Sequence, residues 1–391
     1  MTTSELHEIV SRGEDSKTQF KQQFNRVDAL TTEIAAMLNS QGGLLIVGVS
    51  DSGEVCGLAD ICQLNQSISN ACSQKIEPPV SIMTENLRVD GKLVVIISIP
   101  LGTDKPYAVN KTEFWVKVGA DKRRATREEL RRLMQASSTL YADEMPLTHT
   151  SWDELDLLRF RDFYKQQYNQ EIDQLNAFTE RSLSNLKLLK SGHLTLAGLL
   201  LFGKEPQRIR PQFMVKAVAF IGNRLDGTEY LDSEDIGSTL AEQFKGTMGF
   251  LKRNLRKQQN GQNFNFSGIL EIPEIALEEA VVNAVVHRDY LISSSVRVFI
   301  FDNRVEIISP GKLPNTATVE SIRAGIQIVR NPVLISFVPK LGIPYRGLGS
   351  GVPRMIEECR KVNLPEPQFI EDKAAETFTV VFDRQPSAHK K

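Results

Sequence analysis

Three polar residues recur at helical spacing inside an otherwise apolar segment. The run LEEAVVNAVVHRDY places Glu279, Asn283 and His287 at i, i+4 and i+8, so they form one stripe along a helix. Burying such a stripe costs free energy unless each group is hydrogen-bonded or binds a ligand, and a carboxylate beside an amide suits the orientation of water next to Mg²⁺. A structural hydrogen-bond network would meet the same cost, so both interpretations stay open here.

Two glycine-containing segments follow this stripe along the chain. SPGKLP spans 309–314, and GLGSG spans 347–351 just before a helix expected from Val352. Glycines at this spacing let backbone N–H groups approach a phosphate, and a helix start adds unpaired donors and partial positive charge. A flexible turn would explain either segment alone. The order of all three motifs predicts a phosphate-binding site.

A set of cations stands out near the start of the chain and again around residue 125. These residues can neutralise phosphates without reading sequence: Lys17, Lys21, Lys122, Arg123, Arg124 and Arg127. The run DKRRATREELRRL also fits a solvated helical face with internal Glu–Arg pairs. Nucleic-acid contact and plain solvation are both compatible with this pattern.

The composition is that of a folded globular protein. Of 391 residues, 41% are hydrophobic and 24% charged, and the length predicts two or three domains. The longest apolar stretch has about ten residues, short of the roughly 18 needed to cross a bilayer. The first residues show no export signal, so we expect a cytosolic protein without a membrane span. The net charge of −1 means that any nucleic-acid contact must be local.

The elements needed to position these residues predict an α+β fold. The first predicted domain covers residues 1–138. Its elements are a helix over 26–38, strands over 44–50, 92–100 and 113–119, and a helix over 126–135 capped by Thr126. Residues 139–270 form a connecting, largely helical segment. Its elements are expected as helices from Ser151, over 183–189, 195–201 and 238–255, and a strand over 213–222.

Residues 271–385 form the third predicted domain. It contains a helix over 275–288, strands over 295–301, 304–309 and 377–383, and the helix from Val352. A polar tail, 386–391, closes the chain.

The third domain resembles the GHKL ATPase superfamily, in the divergent branch found beside Schlafen-type domains. The resemblance rests on EAVVNAVVHRDY, SPGKLP, RNP at 330–332 and RGLGSGVPRM. It implies an α/β sandwich that binds ATP with Mg²⁺, with Asn283 holding the metal and Glu279 polarising water. The implied cofactor-binding set is Asn283, His287, Ser309, Gly311, Leu313, Gly347, Gly349, Ser350 and Gly351.

Two positions depart from that superfamily's pattern. Ser309 stands where relatives usually carry an Asp that reads the adenine amino group, and it lacks the charge that strengthens such a contact. Leu313 stands where many relatives have a second glycine. Weak ATPase activity and binding without hydrolysis both remain open.

Residues 10–135 resemble the Schlafen-type AlbA domain. The resemblance rests on GEDSKTQFKQ, MLNSQGGLLIVGVSDSGEVCGL and FWVKVGADKRRATREEL. It implies nucleic-acid binding, and Glu14 and Asp51 match two catalytic carboxylates of nuclease members, which gather a divalent metal to activate water. Gln19 replaces a further Glu, so binding is expected rather than cleavage.

These inferences predict an ATP-binding, nucleic-acid-binding regulator that forms a homo-oligomer. A transcriptional regulator or a defence-associated protein would fit, with the GHKL-like site controlling the AlbA-like module. Two alternatives stay open. One is a metal-dependent nuclease centred on Glu14 and Asp51, and the other is a scaffold whose nucleotide site is vestigial.

Overall fold

The protein folds as two compact units. The computed structural model describes residues 1–137, 140–172, 177–225, 229–258, 268–314 and 317–384. Unit 1 runs from Met1 to Leu140 and unit 2 from Tyr141 to Lys391. Both mix helices with sheets, which confirms the α+β class. The predicted polar tail, 386–391, lies outside the described residues.

Unit 1 contains four α-helices and eight strands among its described residues. The helices are α1 (Thr3–Arg12), α2 (Val27–Asn39), α3 (Ile61–Asn70) and α4 (Arg127–Ala136). The strands are β1 (Thr18–Lys21), β2 (Gly43–Val47), β3 (Ile76–Glu77), β4 (Met83–Val89), β5 (Lys92–Ile99), β6 (Ala108–Val109), β7 (Glu113–Val118) and β8 (Asp121–Arg124).

Two four-stranded sheets build unit 1, in the orders β1-β2-β5-β4 and β3-β6-β7-β8. Side chains alternate across β2: Leu45 and Val47 join a core formed with α2, while Ile46 joins a smaller core that includes Leu6 of α1. This alternation explains the uninterrupted apolar run of β2, because both faces of the strand are covered. Helix α2 also contacts β7, which holds the second sheet in place.

Unit 2 contains nine α-helices and ten strands in the part of the chain that the structure describes. The helices are α5 (Leu157–Tyr168), α6 (Ala177–Asn185), α7 (Leu196–Phe202), α8 (Pro206–Ile209), α9 (Leu240–Asn254), α10 (Glu274–Val286), α11 (Val319–Arg323), α12 (Pro332–Phe337) and α13 (Gly351–Lys361). The strands are β9 (Leu189–Lys190), β10 (His193–Leu194), β11 (Val215–Phe220), β12 (Tyr230–Ile236), β13 (Lys257–Gln258), β14 (Ile269–Leu270), β15 (Val296–Ile300), β16 (Arg304–Pro310), β17 (Gln368–Asp372) and β18 (Thr377–Asp383).

A six-stranded sheet in the order β12-β11-β15-β16-β18-β17 organises unit 2. Only β11 and β15 run parallel, and the other neighbours are antiparallel. Helix α10 packs against β16 and also contacts α9 and α13. One hydrophobic cluster extends from Ala142 to Phe382, so the segments before and after residue 270 share a core.

Most predicted elements agree with the structure to within two residues, and Thr126 caps α4 in a capping box with Glu129. The helix expected over 183–189 is wrong: α6 ends at Asn185, and Leu189–Lys190 form β9. A short apolar run fits a buried strand as well as a helix, and Leu188 and Leu189 are both buried.

The helix expected from Ser151 starts later than predicted. Ser151 caps a short 3₁₀ turn, Trp152–Glu154, and Asp156 then caps α5 by accepting from the Arg159 N–H. Two good N-cap residues lie five positions apart, and the second one begins the α-helix. No helix within the described ranges is long and apolar enough to cross a bilayer.

Candidate functional site

The polar stripe of α10 lines a cleft in unit 2. Glu279 and Asn283 face this cleft from the helix, and His287 faces it from the residue that caps the helix end. Ala280, Ala284 and most other residues of α10 are buried. The stripe is therefore the polar edge of an otherwise apolar helix, as the spacing predicted.

The cleft has a volume of about 1030 Å³, part of it open to solvent, and gathers the three motifs predicted from sequence. Every residue of the predicted cofactor set contributes to its wall: Asn283, His287, Ser309, Gly311, Leu313, Gly347, Gly349, Ser350 and Gly351. One part of the wall is apolar and includes Ile307, Phe378 and Val380 from the sheet.

Glu279 is nearly buried and is ion-paired with an arginine of α13. Arg354 Nη1 lies 2.7 Å from Glu279 Oε1, and its other terminal nitrogen donates to Ser350 Oγ at 3.2 Å. Burial raises the pKa of Glu279, and the positive charge of Arg354 opposes that rise. Arg354 was not among the predicted site residues, although RGLGSGVPRM placed it one helical turn from the glycines.

Gly351 lies directly against the side chains of Glu279 and Asn283. A Cβ at Gly351 would lie 2.6 Å from Glu279 Oε2 and 3.4 Å from Asn283 Nδ2. Since atoms at the shorter distance would collide, a side chain at position 351 would have to displace the Glu279 carboxylate. Gly351 thus leaves room for the carboxylate and the amide at this wall.

His287 belongs to a chain of polar side chains that the sequence did not reveal. Gln327 Nε2 donates to Tyr345 Oη at 2.7 Å, and His287 Nε2 lies 3.0 Å from the same hydroxyl. Burial and the nearby Arg330 guanidinium lower the pKa of His287 to about 4. A ring that is neutral at pH 7 carries one proton, so the tautomer of His287 decides whether Nε2 or the Tyr345 hydroxyl donates in this contact.

The hydroxyl of Ser309 is committed to the backbone. It donates to the carbonyl of Ala284 on α10 at 2.8 Å, and Ser309 is only 7% exposed. Its oxygen can still accept a hydrogen bond from a ligand. At the same edge, Leu313 N–H donates to Glu371 Oε1 at 2.9 Å, which fixes the SPGKLP segment against β17.

The RNP motif at 330–332 connects the end of α10 to the SPGKLP segment. Arg330 donates to the carbonyls of His287 and Lys312, and Asn331 donates to those of Val286 and Arg288. Three of these acceptors are carbonyls at the end of α10 that have no partner within the helix, and the fourth belongs to the SPGKLP segment. The motif therefore positions the stripe and the SPGKLP segment together.

The residues present fit a magnesium ion carried by a phosphate ligand. No group of three or more His, Cys, Asp or Glu side chains among the described residues could hold a metal on its own. Mg²⁺ commonly uses one or two protein groups together with substrate phosphates and water. Asn283 and Glu279 supply such groups side by side on one wall.

The carboxylates predicted in unit 1 are linked by a lysine. Lys21 Nζ lies 3.8 Å from Glu14 Oε1 and 3.3 Å from Asp51 Oδ1. Glu14 also accepts from the Phe20 N–H at 2.7 Å and from the Gln19 amide. One ammonium charge thus offsets half of the negative charge of the two carboxylates, and among the described residues no third His, Cys, Asp or Glu joins them as a metal ligand. The catalytic roles of Glu14 and Asp51 stay predictions.

Gln19 connects Glu14 to a buried lysine. Its amide donates to Glu14, and its oxygen accepts from Lys117 Nζ. Lys117 also lies 3.1 Å from Glu33 Oε1, whose other oxygen accepts from Lys122. The position where nuclease members carry Glu is therefore part of a polar network inside unit 1.

Several of the predicted nucleic-acid-binding cations already have acidic partners. Arg123 forms two 2.8 Å bonds with Glu129, Arg124 pairs with Glu113, and Lys122 and Lys21 pair as described above. Within the described residues, no ion pair is recorded for the exposed side chains of Lys17 and Arg127. Of the six predicted cations, these two are the most available to contact a phosphate backbone.

Trp115 supports the structure of unit 1 instead of forming a free stacking platform. It packs against the α2 core, and the Arg124 guanidinium lies 5.8 Å from its ring centroid. A partly buried ring with one face near an arginine offers little area for a base.

Comparison with known proteins assigns domain classes to both units. Residues 14–126 match the family described as Schlafen, AlbA_2, and residues 293–382 match Putative ATP-dependent DNA helicase recG C-terminal. Residues 131–216 match a domain of unknown function. The chain thus combines a Schlafen AlbA_2 domain with an HATPase-like domain, which confirms the predicted combination.

These domain classes are those of a nucleic-acid-binding, ATP-related protein. The second match begins after α10, so it does not cover Glu279, Asn283 or His287. It is the tertiary structure that brings α10 to the HATPase-like segment.

Among solved structures, the chain is similar to the DIP2311 protein from Corynebacterium diphtheriae. The two share 22% identity with a TM-score of 0.50, over 98% of this chain and 80% of that one, which shows a common fold. The N-terminal domain of a putative ATP-dependent DNA helicase RecG-related protein from Nitrosomonas europaea also matches. It has 17% identity and a TM-score of 0.26, over 32% of this chain and 94% of that one. No match was found among curated proteins.

Proposed function

We propose that unit 2 binds ATP with Mg²⁺ in a GHKL-like cleft and that unit 1 binds nucleic acid. Nucleotide occupancy then changes the nucleic-acid affinity or the assembly of the protein, as in a cytosolic regulator. The observation that carries the proposal is the convergence of three separate sequence motifs on one cleft.

The composition of the cleft wall supports a nucleotide ligand. Ile307, Phe378 and Val380 offer apolar area for a base, and Ser309 can accept from an exocyclic amino group. The 347–351 segment and the start of α13 offer backbone N–H groups for phosphates. A pocket with apolar walls and a few placed polar groups is the usual form of a cofactor site.

Asn283 would hold Mg²⁺ with the phosphates, and Glu279 would orient a water molecule. The bound ion would neutralise phosphate charge. Arg354 occupies one oxygen of Glu279, so Oε2, beside Gly351, is the oxygen left for water. A carboxylate paired in this way is a weak base, which favours slow hydrolysis or binding alone.

Isothermal titration of ATP with Mg²⁺ into the full chain tests the site directly. Wild type is expected to bind, and Asn283→Ala is expected to lose affinity by at least about tenfold, because a group that contacts the metal is removed. Asn185→Ala, at the exposed end of α6 outside the cleft, serves as the matched control and should bind like wild type.

The same titration repeated with nucleic acid tests the coupling. An ATP affinity that changes when duplex DNA or tRNA is present would establish linkage between the two sites. A change in ATP affinity with DNA would support a transcriptional role, and a change with RNA would support an RNA-directed defence role. A wild type that binds no ATP would overturn the proposal and leave the vestigial-site scaffold.

Gly349→Ala is expected to weaken ATP binding by about tenfold or more. Gly349 has φ +72°, and an added Cβ would lie 1.9 Å from the Gly325 carbonyl oxygen, so the loop must move. Gly347→Ala is the matched control. It has φ +63°, but its nearest neighbouring atom would be 3.5 Å away, so it carries similar backbone strain without the collision. Equal affinities of the two variants would contradict this assignment.

The nuclease alternative makes a distinct prediction. Labelled tRNA or single-stranded DNA would be cleaved with Mn²⁺ by wild type and left intact by Glu14→Ala. We expect no such difference, because Lys21 already offsets part of the charge of Glu14 and Asp51, and Gln19 stands where a further carboxylate would be needed.

We further propose that the chain forms a homo-oligomer. Light scattering with and without ATP should give a mass above that of the 43.8 kDa chain. A monomer in both conditions would rule this out.

A further inference from the structure

The cleft contains more positive than negative charge. Three cationic residues contribute to its described wall, namely Lys312, Arg330 and Arg346, whereas Glu279 is the carboxylate there. Glu279 is itself paired with Arg354 from behind the wall. Such a cleft favours a ligand that carries several negative charges.

Two of the three cations are already engaged by the protein. Arg330 is 9% exposed and donates to the carbonyls of His287 and Lys312. Lys312 Nζ lies 3.5 Å from Glu376 Oε1 across the end of β18. Their positive charges contribute to the electrostatic potential of the cleft, but their N–H donors already contact oxygen atoms of the protein.

Arg346 is different in both exposure and partners. Its side chain is exposed, and its guanidinium forms no ion pair or hydrogen bond with any of the described residues. It directly precedes Gly347, the first glycine of the loop that ends at the start of α13. An arginine in a cleft without a protein partner has five donors available for an anion.

Arg346 also lies at the Glu279 end of the cleft. The loop that follows Arg346 ends at Gly351, which lies against Glu279 Oε2. Burial raises the pKa of Glu279, and the positive charges of Arg354 and, to a smaller extent, Arg346 oppose that rise. The apolar residues suited to a base, such as Val380 and Phe378, belong to the sheet instead. A nucleotide whose base contacts the sheet would extend its phosphates toward Arg346.

We propose that Arg346 binds the terminal phosphate of a nucleoside triphosphate and makes the cleft prefer triphosphates over diphosphates. This inference rests on the proposed nucleotide site. The planar guanidinium can form two parallel bonds to a terminal phosphate, and a diphosphate of the same nucleoside is one group too short to receive both. The loss of the terminal phosphate then releases the glycine loop from the ligand.

Titrations of ATP and ADP with Mg²⁺ into the full-length chain test this role. Arg346→Gln is expected to lower the affinity for ATP by about 10- to 100-fold, the range for one charge-assisted contact, and that for ADP by less than about threefold. Arg346→Lys should bind ATP with an affinity between those of wild type and Arg346→Gln, because lysine keeps the positive charge but cannot form two parallel hydrogen bonds to a phosphate. Arg360→Gln, an exposed arginine on the last turn of α13 outside the cleft, is the matched control.

The outcomes separate this inference from the function it rests on. If wild type binds ATP and Asn283→Ala does not, but Arg346→Gln keeps the ATP to ADP preference, only the role of Arg346 is wrong. An equal fall for both nucleotides would also overturn it, since a general loss of structure or charge would explain that result. If wild type binds neither nucleotide, the nucleotide site fails, and the role of Arg346 fails with it.

Discussion

Lys117→Ala is expected to lower the free energy of unfolding of unit 1 by about 3–5 kcal/mol, the usual cost of breaking a buried ion pair from one side. The side chain of Lys117 is 1% exposed and that of Glu33 is 4% exposed, and their charged atoms lie 3.1 Å apart. Lys117 also donates to Gln19 and to the Ala120 carbonyl. Its removal leaves Glu33 inside the fold with too little compensating charge.

Lys122→Ala is the matched control for this loss. Lys122 contacts the other oxygen of Glu33 at 2.5 Å, but its side chain is 25% exposed, so water can replace much of the contact. We expect a cost of about 1 kcal/mol or less. Adding Glu33→Gln to Lys117→Ala should recover part of the stability, because the buried charge is then removed.

Urea denaturation followed by tryptophan fluorescence can measure unit 1 separately. The chain has two tryptophans, Trp115 in unit 1 and Trp152 in unit 2, so a Trp152→Phe background reports on unit 1 alone. If Lys117→Ala and Lys122→Ala both lower the free energy of unfolding by a similar small amount, the Lys117–Glu33 pair does not stabilise unit 1 as its burial indicates.

Asp143 is expected to make unit 2 less stable as the pH rises toward 7. Its side chain is fully buried, and Oδ2 accepts from the N–H groups of Val333 and Leu334 at 2.8 and 3.0 Å. Burial raises the pKa of Asp143 from 3.8 to about 7, and the two backbone hydrogen bonds only partly oppose this rise.

Between these two pKa values the folded chain keeps a proton that the unfolded chain has lost. The stabilising contribution is therefore complete below about pH 4 and is lost as the pH rises through 7. At about 1.4 kcal/mol per pH unit, the free energy of unfolding falls by roughly 4 kcal/mol over this pH range.

His287 changes the stability of unit 2 in the opposite direction. Its pKa is lowered to about 4, so its contribution is present above about pH 6.5 and is lost as the pH falls through 4. The pH dependence of the wild-type free energy of unfolding contains both effects, so the test must compare variants at Asp143. In a Trp115→Phe background, Asp143→Asn should gain about 4 kcal/mol relative to wild type between about pH 4 and 8.

Asp143→Ala provides the control, because it removes the acceptor as well as the charge. It should destabilise unit 2 at low pH by about 2–3 kcal/mol, since the N–H groups of Val333 and Leu334 lose their partner. A difference between Asp143→Asn and wild type that stays constant with pH would show that Asp143 remains ionised in the folded state.

The sequence by itself determined the parts of the site that depend on local chain geometry. Glu279, Asn283 and His287 share a face because the helix repeats every 3.6 residues, and that period is visible in one short segment. Gly347, Gly349 and Gly351 were recognisable because glycines at this spacing let backbone N–H groups approach a phosphate. The α+β class and the strands β5, β7, β16 and β18 followed from equally local patterns of apolar residues.

Only the tertiary structure decided which charges meet. Glu33 and Lys117 are 84 positions apart, and Asp143 and Val333 are 190 apart. The pairing of Arg354 with Glu279, and the freedom of Arg346 by comparison, also depend on how α13 packs against α10. Long flexible cations can reach many carboxylates, so their sequence positions do not specify a partner. The partner is fixed only when packing of the surrounding core places one carboxylate within reach and excludes water from the contact.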